Sequence, residues 1–191
     1  MTLNYAPGWL PVTGLAATAE FDGPSMKVTA RSASIGDIAI GGAVAEVTDW
    51  LDSYLLVRAE AAADVGKVHG FFAASPLADS LGATFARLSG SGPVHGEFVM
   101  YLPIKQFAQR VFTVRGQADG VELALAGFGE TLKGIRGEFW VRNREFYAPS
   151  LTLDFLGGPA EARISSRLAE NGDIATSLEA HGTLEIGRAH V

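Results

Sequence analysis

Apolar and polar residues alternate one by one through most of this chain, and that period of two constrains its fold more than any other feature. In an extended strand successive side chains point to opposite faces, so residues at i, i+2 and i+4 line one side of a sheet. Met26, Val28 and Ala30 alternate with Lys27, Thr29 and Arg31. The pattern returns in Leu55, Val57, Ala59 and Ala61, opposed by Arg58 and Glu60, and in Phe98, Met100 and Leu102, opposed by Glu97 and Tyr101. Phe112 with Val114, then Val121, Leu123 and Leu125, then Ile135, Phe139 and Val141 repeat it. Ala160, Ala162, Ile164 and Leu168 continue the series, and Ile174, Leu178 and Ala180 end it. The expected fold is mainly β.

Turn-forming residues fall between these runs, at Asp22-Gly23-Pro24, Asp119-Gly120, Asn143-Arg144-Glu145, Gly157-Gly158-Pro159 and Asn171-Gly172. Residues that tolerate positive φ at the joints of alternating runs read as antiparallel hairpins, with consecutive strands paired in order. One region departs from the pattern. Val65, Val68 and Phe72, then Leu77, Leu81, Phe85 and Leu88, follow helical spacing on either side of Ser75-Pro76. Proline cannot sit inside a regular helix, so residues 63–88 are expected to form two short helices around a Ser-Pro hinge.

Alternation leaves one question open. Two apolar faces can close on each other in a dry sandwich, or one curved sheet can keep a continuous apolar concave lining with a solvated back. The glycines and alanines of Ile38 to Ala45 and of Ala59 to Ala63 favour strong curvature or a roomy lining, because small side chains leave space above a sheet. The fold expected on these grounds is a curved antiparallel β-sheet forming an open groove.

Composition removes several classes of function. With no cysteine, the chain can form neither a disulfide framework nor a zinc–thiolate site. Its 15 basic and 21 acidic residues leave a net charge of −6, which gives no electrostatic grip on nucleic acid or on an anionic membrane surface. A hydrophobic content of 48% suffices for a core. The longest apolar stretch, Ile38 to Val47, is broken by Glu46 and falls short of the roughly 18 residues of a membrane span. Met1 to Trp9 lacks the basic start and apolar run of a secretory signal, which by itself favours a cytoplasmic location.

The motifs that could carry chemistry read more simply as structure. Gly90-Ser91-Gly92-Pro93-Val94-His95-Gly96 echoes a dinucleotide-binding loop, yet that loop needs a strand before it and a helix after it, and here the order is reversed. It reads as a loop entering the strand Val94 to Leu102. His69, His95 and His181 show no metal-ligand spacing and read as surface or half-buried residues. Asp49 and Asp52 around Trp50 read as a solvated turn. No nucleophile elbow, phosphate loop or zinc-protease motif occurs. Arg136, Trp140, Arg142, Arg144 and Tyr147 could form a stacking groove for single strands, but in so acidic a chain they read as the outer face of one hairpin. The sequence points to no catalytic residue, metal or cofactor.

The last seven residues, Glu185 to Val191, match the translation of a common sequencing adapter, GAG ATC GGA AGA GCA CAC GTC. Residues 185–191 are therefore set apart from the fold, which is expected to occupy residues 1–184.

Several local patterns, in order along the chain, resemble the AsmA-like superfamily and within it the YhdP-type proteins of Gram-negative bacteria. They are Tyr5-Ala6-Pro7-Gly8-Trp9-Leu10-Pro11 with Gly14-Leu15 and Glu20-Phe21; Ile38-Ala39-Ile40 through Ala43-Val44-Ala45-Glu46-Val47; and Phe71-Phe72-Ala73-Ala74-Ser75-Pro76-Leu77. Gly90-Ser91-Gly92 leading to Met100-Tyr101-Leu102-Pro103-Ile104, and Leu132-Lys133-Gly134-Ile135-Arg136-Gly137-Glu138-Phe139, complete the series. The resemblance implies a long periplasmic protein tethered to the inner membrane by an N-terminal helix. It also implies a repeated apolar β groove along which phospholipid acyl chains move between inner and outer membranes. This chain would be an interior segment, its Met1 an internal methionine, with neighbouring repeats as partners and membrane contact made only by parts outside it. Gly14-Leu15 with Glu20-Phe21 echoes Gly134-Ile135 with Glu138-Phe139, as a repeat would.

Such a conduit needs no catalytic group. Burial of a hydrocarbon tail is worth about 0.8 kcal/mol per methylene and is non-directional, so a uniformly apolar lining can hold a chain without trapping it. The expected lining is Met26, Val28, Leu55, Val57, Phe98, Met100, Phe112, Val114, Leu123, Leu125, Phe139, Leu153 and Phe155. The alternative is a structural or binding β-sandwich module of an envelope protein, in which the same residues are ordinary core.

Overall fold

The computed structural model describes residues 1–4, 8–49, 54–75, 88–103, 105–106, 109–126, 129–155, 157–168 and 174–182. They form one open, curved antiparallel sheet of eleven strands with one short helix. The strands are β1 (Val12–Asp22), β2 (Ser25–Ile35), β3 (Ile38–Val47), β4 (Tyr54–Asp64), β5 (Leu88–Ser91) and β6 (Pro93–Pro103). They continue as β7 (Val111–Leu125), β8 (Thr131–Arg142), β9 (Glu145–Phe155), β10 (Gly158–Leu168) and β11 (Ile174–Gly182). The spatial order is β1-β2-β3-β4-β6-β7-β8-β9-β10-β11, with β5 paired to β7 beside β6. Consecutive strands pair in order, as the alternation predicts, apart from this one insertion.

Hairpin turns fall where the sequence places them. Gly23 takes φ +52 between Asp22 and Ser25, and Asn143 takes φ 52 between the paired residues Arg142 and Glu145. Asn143 also extends the ladder to β7, its Oδ1 accepting from Phe112 N at 3.0 Å while its own N donates to Phe112 O at 2.9 Å. The Asn171-Gly172 turn lies outside the described residues, although Leu168 and Ile174 on either side of it are paired.

Three expectations need correction. Asp119-Gly120 is no hairpin turn: β7 runs straight through it, and Gly120, at φ +79, makes a bulge. A glycine at positive φ serves a tight turn and a bulge equally well, so the dipeptide alone does not separate them. The part of the glycine-rich stretch expected as loop, before Val94, is strand apart from a kink, β5 and β6 forming one line bent at Gly92, φ +105, while the strand expected from Val94 is β6. Of the two expected helices, the first is α1 (Val65–Ala73). The second falls on 76–87, outside the described residues, and Leu88, its expected last residue, begins β5 opposite Leu125.

Helix α1 starts and stops for local reasons. Asp64, in extended conformation, caps it by accepting from Gly66 N at 2.8 Å, and its other oxygen accepts from Gly92 N at 2.6 Å. Gly92 O in turn accepts from Val65 N. The carboxylate therefore clamps the helix start to the kink between β5 and β6, and these bonds, that from Gly92 foremost, hold its pKa below the usual aspartate value. At the far end Ser75, buried ahead of Pro76, donates its hydroxyl to Phe72 O at 2.9 Å.

Candidate functional site: the apolar face of the sheet

Residues directly opposed across antiparallel strands share a face, so the register shows what lines each side. One row runs Ala19, Val28, Ala45, Val57, Met100, Phe112 across β1 to β7. The next runs Ala17, Ala30, Ala43, Ala59, Phe98, Val114, Val141, Phe146 across eight strands. A third runs Ala33, Ile40, Ala61, Gly96, Gly116, Phe139. No charged side chain interrupts them. The rows cross the strands, so the apolar path runs along the sheet, over as many as eight strands spaced about 4.8 Å apart, or roughly 34 Å.

Of the expected lining, Met26, Val28, Leu55, Val57, Phe98, Met100, Phe112, Val114, Leu123, Phe139 and Phe155 are half-buried, and Leu153 is buried. Leu125 lies in β7, its side chain outside the described residues. Met26 pairs with Phe21 and Val47, and Leu55 with Leu102, at one end of the strands. Leu123, Leu153 and Phe155 meet at the other end, with Val65 of α1. The rows also hold Ile40, Phe146 and several alanines that the expected lining leaves out, although Ala30, Ala59 and Ala61 already read as part of the apolar face, and Val47 lies beside Met26. Alanine gives a weak alternation signal, and bulges at Gly41-Gly42 and near Pro149 break the count.

Among the described residues no second layer is laid over most of this face. Among them the sheet packs mainly through neighbouring strands, and α1 packs chiefly on β3, β4 and β5, with Val65 reaching the cluster between β7 and β10. The edges of the face are the most open: Phe21 on β1 is 71% exposed and Leu178 on β11 is 55% exposed. Burial concentrates instead between β7 and β10, where Ala118, Val121, Ile135, Ala148, Leu151, Leu153 and Ala162 form one cluster within the curl of a single sheet.

The other face carries the charges, with half-buried apolar residues such as Val44, Leu56 and Val99 among them. Lys27 and Arg58 pair with Glu46 at 3.1 and 3.6 Å, Arg115 with Glu138 at 3.4 Å, and Arg136 with Asp119 at 3.1 Å. Trp140 and Tyr147 stand beside each other on it, ring centroids 5.9 Å apart. The basic and aromatic cluster is thus the outer face of the β8–β9 hairpin. His95 and His181 are exposed and His69 half-buried, and no group of three His, Asp or Glu side chains converges among the described residues. No described helix is long and apolar enough to cross a membrane.

A model of the YhdP protein family matches residues 1–189, which includes most of the stretch that resembles an adapter translation. The chain is 23% identical over 165 residues to the intermembrane phospholipid transporter YhdP of Escherichia coli (strain K12), a match covering 85% of this chain and 13% of that protein. The chain thus spans about an eighth of the length of this curated relative. No solved structure matches.

Proposed function

This chain belongs to the YhdP protein family, and from that premise we propose that it is one segment of a non-enzymatic lipid conduit. In this reading phospholipid acyl chains lie on the apolar face, headgroups stay wet at its rim, and lipid passes along the rows between the inner and outer membranes. The chain works in the periplasm as part of a longer protein tethered to the inner membrane. Neighbouring segments continue the sheet beyond β1 and β11, and the membranes are met by parts outside this chain.

One observation carries the reading: an apolar row crosses eight strands without a charge, and no described layer covers most of it. A folded protein keeps a large apolar face in water only when something else occupies it. A path of roughly 34 Å also exceeds one acyl chain, which reaches through about half of a 30 Å hydrocarbon core. The relative's description as a phospholipid transporter supports the same ligand class, and hydrocarbon burial asks for no catalytic group.

The test is Val57→Asp, placed mid-row. In an open groove the new carboxylate is solvated, so the strand content seen by circular dichroism persists while phospholipid co-purifying with the protein is lost. In a closed sandwich the same change unfolds the protein. Wild-type protein that carries no lipid and excludes hydrophobic dyes would falsify the conduit.

A further inference from the structure

Resting on the conduit reading, the geometry points to the β6–β7 seam as the element that sets the bore of the groove, with the Phe139 ring selecting straight acyl chains over methyl-branched ones. Gly96 and Gly116 are direct cross-strand partners. In a regular antiparallel pair opposed Cα atoms stand about 4.5 to 5.5 Å apart. Here a Cβ placed on Gly96 would lie 2.8 Å from the Gly116 Cα, so the β7 backbone has swung up into the space a side chain would need. The same holds along the seam. A Cβ on Gly92 would lie 2.9 Å from the Val121 Cα, and one on Gly90 2.7 Å from Glu122 O. The sheet is creased along this line, and the glycines are what permits it.

A crease brings the two flanks of a groove together, so the side chains beside it fix the clearance. Phe139, on the far strand of the same row, lies across Gly116: a Cβ there would be 2.7 Å from both Cε1 and Cε2 of the ring. Phe146 braces the ring from behind, nearly parallel at 19° with centroids 5.8 Å apart. In the neighbouring rows Phe98 and Phe112 stack at 6.4 Å. At the crease the apolar path is therefore floored by a flat, braced aromatic ring. A linear methylene chain can lie against such a surface, whereas a methyl branch needs room that the crease and the braced ring do not yield.

The experiment equilibrates the protein with phosphatidylethanolamine vesicles holding straight-chain and methyl-branched acyl chains of equal backbone length in equal amounts. The protein is re-isolated and its lipid measured by mass spectrometry. Wild type is expected to hold straight chains about tenfold over branched ones, the discrimination one methyl group gives in an apolar site. Phe139→Ala is expected to bring the ratio close to one. Should that variant fail to fold, Phe139→Leu, which keeps an apolar side chain without the ring, is expected to lower the ratio as well. Gly116→Ala, which must lift the ring into the groove, is expected to cut total lipid. Trp140→Ala, on the outer face, is expected to change neither quantity. A wild-type ratio of one, or an unchanged ratio in a folded Phe139 variant that still holds lipid, overturns the bore assignment and leaves the conduit standing. Wild-type protein holding no lipid overturns both.

Discussion

The two flanks of the β6–β7 crease carry the same alternating pattern and reach different states. On the β1–β4 flank the rows are paved largely with alanine, and Ala30, Ala33 and Val47 are the apolar residues buried there among those described. On the β7–β10 flank seven apolar residues bury one another in a single cluster. The two flanks differ in where their backbone irregularities fall. The β7–β8 and β8–β9 ladders each shift register twice, and Gly120, Gly134 and Gly137 take positive φ along them. Each bulge adds local twist and bend, so this flank curls until side chains of strands two and three apart meet. On the other flank the β1–β2 ladder also shifts twice, but at the outer edge of the sheet between Thr13 and Ala17, while the β2–β3 ladder keeps its register throughout and the β3–β4 ladder shifts once, at Gly41-Gly42, and the face stays spread. One flank buries its apolar side chains, and the other stays spread.

That contrast is broken most directly by truncating one apolar side chain on each flank. Leu151, 6% exposed within the cluster, touches neighbours on all sides, and Leu151→Ala is expected to cost about 3 kcal/mol, lost transfer energy plus a cavity. Val57→Ala on the open flank removes less carbon from a half-exposed site and is expected to cost about 1 kcal/mol or less. Urea unfolding of lipid-free protein checks both. Equal losses at the two sites would mean that the β1–β4 face is roofed as tightly as the β7–β10 cluster, and the contrast between the flanks would be gone.

The identity of the two faces was legible in the sequence, because period-two alternation survives wherever a strand is regular: β2, β4, β6 and β10 are read correctly from Met26, Leu55, Phe98 and Ala160 onward. The curvature was legible in part, through the small residues of Ile38 to Ala45, where Gly41-Gly42 is indeed a bulge. What the pattern could not carry is the consequence of the bulges. Val121 follows Ala118 on the same face although they stand three residues apart, and Ala148 and Leu151 do likewise, so β9 shows no unbroken alternation. The β5–β6 kink was opaque for a related reason, since glycines show no alternation at all. Nor could the pattern separate Met26 from Leu153. Both occupy inward positions, but only the latter is enclosed, by strands brought over it by curls encoded elsewhere in the chain.

The boundary between the flanks has its own anchor in Asp64, which ties α1 to the kink at Gly92. Its pKa is lowered in the folded state, so its contribution to stability is complete above the ordinary aspartate range near 3.9 and fades as pH falls through the lowered folded value. Thermal melts from pH 7 downward should show wild type losing its advantage over Asp64→Asn as this range is crossed. A gap between the two proteins that stayed constant to the lowest pH would mean that the carboxylate charge plays no part in holding the crease.

The smallest effect is expected on the outer face, where the β1–β4 flank carries its charges. Glu46 sits between Lys27 and Arg58, with side chains about half exposed on the basic residues and a third exposed on the acid. Exposed pairs of this kind contribute between about 0 and 1 kcal/mol, because water screens the attraction and two long side chains must be ordered to make it. Glu46→Gln should therefore shift the urea midpoint little, by less than about 0.5 kcal/mol in stability, and less still in high salt. It should leave lipid content untouched, since Glu46 and Ala45 point to opposite faces of β3. A loss of lipid in this variant would place headgroup or chain contacts on the polar side and so reverse which face of the sheet faces the guest.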